Sequence, residues 1–176
     1  FIPVQTAASL SAVDAFQKRP GGAPANVAVA AAKLGAEAYF VGIVGDDPFG
    51  HFLKDTIAGY GVNTRYLKTT KKAKTALAFV SLADDGQRDF SFYRNPSADL
   101  LLDKSDVEEI EFTSEDYISF GSVDLVEYPV KYATEYLLQK AKAANATILF
   151  DPNIRKDLWD DLNECRQTIL TFMKYA

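Results

Sequence analysis

Gly21-Gly22-Ala23-Pro24-Ala25-Asn26 runs directly into Val27-Ala28-Val29-Ala30-Ala31-Ala32-Lys33-Leu34-Gly35. Two adjacent glycines allow backbone to approach a ligand closely, because no Cβ blocks the way. Pro24 suits the first turn of a helix. Asn26 then sets an amide, both donor and acceptor, at the helix start. The alanine-rich run favours helix, and Gly35 is a natural stop. Two readings stay open. The stretch is a plain turn before a core helix, or it is a cradle where a polar ligand meets bare backbone and one amide. Spacing alone favours the turn. It is neither a G-x-x-x-x-G-K-[ST] phosphate loop nor a G-x-G-x-x-G fingerprint.

The sequence on either side supplies an alternating αβ pattern. Ala38–Val44 is a continuous apolar run of strand length, as expected for a strand buried on both faces. Gly45-Asp46-Asp47-Pro48 is a turn in which Asp46 or Asp47 caps a helix over about 48–58. Residues 116–120 and 147–150 read as strands, 129–144 and 162–175 as helices. Strands alternating with helices imply a parallel sheet covered on both faces. One piece is foreign to that pattern. Thr75–Ala83 and Arg88–Arg94 are β-rich runs around Asp84-Asp85-Gly86, a hairpin signature.

Composition narrows the function classes. The chain has 176 residues, is 48% hydrophobic and carries a net charge of -5 with acidic and basic residues interspersed, which fits a globular domain and argues against the basic patch of a nucleic-acid binder. Lys68–Lys74, the nearest approach to such a patch, reads as a solvated edge. A single cysteine, Cys165, excludes an internal disulfide and fits a reducing, cytoplasmic compartment. One cysteine with one histidine, His51, cannot make a zinc site. No segment is long and apolar enough to span a membrane, and no signal peptide opens the chain. Phe1-Ile2-Pro3-Val4 reads as the tail of a strand, so the expectation is that residues precede it.

Ligands of a parallel sheet bind beyond the carboxyl ends of its strands. Gly45-Asp46-Asp47, Gly121-Ser122 and Asp151-Pro152-Asn153-Ile154-Arg155 fall at such ends, and the hairpin adds Tyr93-Arg94-Asn95. Each has a plain structural reading as a cap, turn or surface charge. Ser122 has no matching histidine and is no hydrolase nucleophile.

Taken in order, Gly-Gly-x-Pro-x-Asn, Phe-Tyr-Arg-Asn-Pro-Ser-Ala-Asp and Asp-Pro-Asn-x-Arg-x-x-Leu-Trp resemble the ribokinase-like (PfkB) carbohydrate kinases, and among them the fructokinases. The resemblance covers essentially the whole chain. It implies an α/β fold, a ribokinase-like three-layer αβα sandwich with a small β lid. Residues 1–176 would form the N-terminal portion of one such domain, with lid segments at about 5–18 and 75–94. The implied substrate-binding residues are Gly21, Gly22 and Asn26 for sugar hydroxyls, and Phe92 and Arg94 on the closing lid strand. Asn153 and Arg155 would lie near the sugar and the transferred phosphate, with Ser122 a weaker match in the sugar pocket. The implied reaction is ATP-dependent phosphorylation of a sugar, with fructose giving fructose 6-phosphate. Arginine suits a transferring phosphoryl group because it binds bidentately.

The departures from the family pattern are as informative. Its Asp-Thr-x-Gly-Ala-Gly-Asp signature, with the general-base aspartate, is absent, as are its Asn-x-x-Glu element and its first-strand sugar-binding aspartate. The resemblance therefore places the base beyond Ala176, leaves no catalytic residue and no metal ligand in this chain, and puts the sites for ATP and Mg2+ mostly outside it. These 176 residues alone are expected to be inactive. The rivals are a 2-keto-3-deoxygluconate kinase, whose sugar acid two arginines would suit, and a truncated or non-catalytic sugar-binding fragment. The implied partners are a small-molecule sugar and ATP, with no nucleic acid and no membrane. A homodimer through the lid face bearing Phe90 and Phe92 is also implied, unless those rings line the subunit's own pocket.

Overall fold

The computed structural model describes residues 1–5, 9–82 and 88–176. Ile43 and Val44 are consecutive in strand β3 (Gly42–Gly45) and both are buried. Neighbouring strand residues point to opposite faces, so both faces of this strand must be covered. Val44 packs with Ile57, Val62 and Leu67, and against Ala28, Val29 and Ala32. Those last three lie on helix α1 (Ala23–Lys33), and Ile57 lies on helix α2 (Pro48–Gly59). Ile43 turns the other way, into a cluster with Leu100, Val107 and, from helix α4 (Pro129–Ala143), Val130, Ala133 and Leu137. Helices on each side of a strand layer make the αβα sandwich that the resemblance implies.

Strand β3 pairs in parallel with β4 (Leu67–Thr70), Gly42 opposite Leu67. A second parallel pair joins β7 (Tyr117–Gly121) to β8 (Thr147–Asp151), Gly121 opposite Asp151. Phe120 of β7 packs with Leu125, Leu138 and Phe172, the last from helix α5 (Leu162–Phe172).

The foreign piece is a hairpin. Strands β5 (Leu77–Leu82) and β6 (Arg88–Tyr93) pair antiparallel with Val80 opposite Phe90. The expected turn at Asp84-Asp85-Gly86 lies outside the described residues. A two-residue ladder, β1 (Ile2–Pro3) with β2 (Phe16–Gln17), adjoins the hairpin, because the Phe1 ammonium donates to the Ala78 carbonyl and the Val80 amide donates to the Phe1 carbonyl. Phe1 stacks on Phe79, whose ring also meets Phe16 and Tyr93 edge-on.

Three expectations shift. The strand expected over 38–44 is regular only from Gly42; Tyr39 makes an isolated bridge to Asn63 and is largely exposed. Part of the expected solvated edge at 68–74 is strand β4, anchored by the buried Leu67. Between lid and sandwich stand two short unforeseen elements, a 3-10 turn (Ala98–Leu101) and helix α3 (Lys104–Val107). A reciprocal capping box holds the latter: Asp103 accepts from the first turn and Asp106 accepts from the Asp103 amide.

Candidate functional site

The ends of β7 and β8 and the start of α1 enclose a cleft of ≈ 280 Å³, counting the space open to solvent. Ala23, Pro24 and Val27 form one wall, and Ser119–Val123 with Asp151 and Asn153 form the other. Strand alternation explains the second wall. Ile118 and Phe120 pack into the core, so Ser119 and Gly121 turn toward α1.

Each expected residue has a definite place. Gly22 is the N-cap of α1 with φ of 112°, a left-handed conformation that side chains disfavour, and among the described residues no side chain caps this helix start. Gly21 faces open space: a Cβ there would meet nothing within 4 Å. Asn26 lies one turn in, exposed, and among the described residues its side chain has no hydrogen-bond partner. Ser122 is 0% exposed, yet its Oγ has no partner among the described residues. An orphaned hydroxyl at the rim of a cleft is a group to which a ligand can supply the missing bond. Asn153 lines the cleft with φ of 34°, strained for a non-glycine residue.

The lid residues meet the sandwich in a way the sequence did not reveal. Phe92 stacks on Phe90 with centroids 5.8 Å apart. The Arg155 guanidinium lies over the Phe90 ring, 5.6 Å from its centroid. Phe90 therefore faces the Asp151–Arg155 segment of its own chain. Arg94 follows β6, and its side chain is only 10% exposed. Its Nε donates to Asp99 Oδ2 at 2.5 Å and its Nη2 donates to the Val123 carbonyl at 2.8 Å. Asp124 lies in the same field. Burial pushes its carboxyl up to about 6, with Arg94 pulling down and Asp99 pushing up.

The whole chain, residues 1–176, matches the profile described as pfkB family carbohydrate kinase. The chain belongs to the pfkB family of carbohydrate kinases. Over 176 residues it is 43% identical to a protein named probable fructokinase-2 from Arabidopsis thaliana, covering all of this chain and 54% of that protein. Among solved structures it resembles apo fructokinase from Vibrio cholerae O395, with TM-score 0.85, 32% identity, and 99% of this chain and 57% of the other covered. The same enzyme's form bound to fructose, ADP and calcium gives TM-score 0.86, 34% identity, and 93% and 52% coverage. The fold of this pfkB-family chain is thus ribokinase-like, and the chain spans about half the length of the curated relatives it matches.

The second strand-end cluster of this family member is structural. Asp47 caps α2, accepting from the Phe49 and Gly50 amides, and also accepts from the Thr75 amide at 2.8 Å and hydroxyl at 2.9 Å. Burial opposes its ionisation, but these bonds win, and the carboxyl stays below its ordinary value. Asp46 pairs with exposed His51 at 3.0 Å. Among the described residues, no group of three or more His, Cys, Asp and Glu is placed to hold a metal ion. No Mg2+ ligand is therefore assigned among the described residues, and no step is routed through a metal. Among the described residues, no helix is long and apolar enough to cross a membrane.

Proposed function

We propose that this chain forms the sugar-holding side of an ATP-dependent fructokinase that makes fructose 6-phosphate. The observation that carries the proposal is the orphaned Ser122 hydroxyl in the lining of a strand-end cleft whose other wall is the uncapped start of α1. A sugar needs several fixed donors and acceptors on one side and an apolar wall on the other. Gly21 and Gly22 backbone, Asn26, Ser122 and Asn153 offer the first, and Phe92 with Phe90 offers the second. Arg155 has no ion pair among the described residues, so its guanidinium is the cation available for a transferring phosphoryl group. The fructokinase names of the relatives favour fructose over 2-keto-3-deoxygluconate.

In this reading the chain binds and orients the acceptor, and the lid excludes water from it. The group that takes the hydroxyl proton is not among these residues. ATP would supply the phosphoryl group. Calorimetric titration with fructose tests the proposal. Saturable binding, weakened by Asn26→Ala and Ser122→Ala, is expected, and heat unchanged by fructose overturns it. Fructose-dependent release of ADP by the 176 residues alone is expected to stay at the blank, and turnover above it would contradict the division of labour. Cytoplasmic action and a homodimer through the lid belong to the same proposal. The single buried Cys165 supports the first, and the dimer, through the lid face bearing Phe90 and Phe92, rests on the resemblance alone.

A further inference from the structure

Arg94 joins three separate pieces of chain. It stands at the root of lid strand β6. Its Nε is bonded to Asp99, in the 3-10 turn Ala98–Leu101, and its Nη2 to the carbonyl of Val123, next to Ser122 in the cleft wall. The turn bearing Asp99 is fixed in the core, because Ala98 and Leu100 are 0% and 1% exposed. The other Asp99 oxygen accepts from the buried Ser97 hydroxyl, which orients the carboxylate. The Ala98 amide donates to the Lys74 carbonyl, so the outgoing lid root is tied to the incoming one.

We propose that Asp99 is a positioning residue: it aims Arg94 from the lid root onto the Val123 carbonyl and so sets how lid strand β6 stands over the Ser122 cleft. The proposal rests on the reading of that cleft as a sugar site. The chemistry favours an acid at position 99. A guanidinium only 10% exposed needs a compensating carboxylate, and its planar fork lets one nitrogen face Asp99 while another faces the carbonyl. Asp124 cannot replace it. Among the described residues Asp99 is the carboxylate bonded to the guanidinium, whereas Asp124 acts on it only through space. Among the described residues, two of the five guanidinium donors are engaged.

The test compares wild type with Asp99→Asn, Asp99→Glu, Arg94→Lys and the double variant Asp99→Asn/Arg94→Lys. Fructose affinity is read by calorimetry, thermal midpoint by circular dichroism, and amide exchange in β6 and α4 by mass spectrometry. Asp99→Asn is expected to weaken fructose binding roughly tenfold or more, the scale of a charged hydrogen bond, while the thermal midpoint moves by only a few degrees. Asp99→Glu should recover part of the loss, and the double variant should be no worse than the poorer single one. Exchange should rise in β6 and not in α4. Unchanged fructose affinity with a lowered midpoint, or additive single effects, overturns the proposal. If wild type itself fails to bind fructose, the sugar reading fails alone. Asp99 is then judged by exchange: β6 amides as slow in Asp99→Asn and Arg94→Lys as in wild type overturn it.

Discussion

A single carboxylate, Asp47, ties three stretches of chain together. It closes the start of α2 and pins Thr75, two residues before the lid hairpin, while the Thr75 hydroxyl accepts from the Gly45 amide at the end of β3. Removing it strands buried amides of Gly50 and Thr75. Asp47→Ala is therefore expected to cost about 3–5 kcal/mol in urea unfolding, and Asp47→Asn clearly less. A loss below about 1 kcal/mol for Asp47→Ala would show the knot to be unimportant. The sequence indicated that one of Asp46 and Asp47 is a cap. The tie to Thr75 was not legible, because no local pattern predicts a partner so distant in the chain. The same holds for Arg94 with Val123 and for Arg155 with Phe90. Both arginines stood out as residues at strand ends, but their partners come from other elements. Ser122 was legible as a strand-end residue, and only packing revealed its hydroxyl as buried and unpartnered.

At the scale of elements, helix α1 separates a conformational demand from a spatial one. Gly22 needs its positive φ, so Gly22→Ala is expected to cost about 1–2 kcal/mol through strain at the helix start. Gly21 has no such demand and faces open space. Gly21→Ala should leave stability within about 0.5 kcal/mol while placing a methyl group where the ligand would approach. Paired urea unfolding and fructose titration distinguish the two. Equal effects of both variants on stability, or intact fructose binding in Gly21→Ala, would contradict this division. Helices α1, α2, α4 and α5 were legible from periodicity, caps and stops, and the hairpin from its two β-rich arms. Strand β4 was not, since Leu67-Lys68-Thr69-Thr70 offers one buried apolar residue and its lysine resembles surface. Helix α3 was missed although its signal, Asp103 and Asp106 three apart, lay in the sequence. A capping box usually announces a longer helix than this one turn.

For the whole molecule, two carboxylates, the buried Asp47 and the partly buried Asp124, give opposite dependences on pH. Asp47 titrates lower in the folded chain than its ordinary 3.8, so its support is present above that value and is lost on acidification through the folded one. Asp124 is raised from 3.8 to about 6. Between those values the folded chain binds more protons than the unfolded chain, so stability falls as pH rises through the window. Above about 6 the full cost is present, on the order of 3 kcal/mol for a shift of about two units. Asp124→Asn removes the charge and keeps the shape. It should therefore stabilise the chain by up to about 3 kcal/mol near pH 8 and by much less near pH 5. Urea unfolding of both proteins at the two pH values isolates this contribution, because other groups cancel in the comparison. A variant less stable than wild type near pH 8 would mean that the attraction of Arg94 for the Asp124 carboxylate outweighs burial. That result would make the charge at Asp124 a second fastening of the lid root.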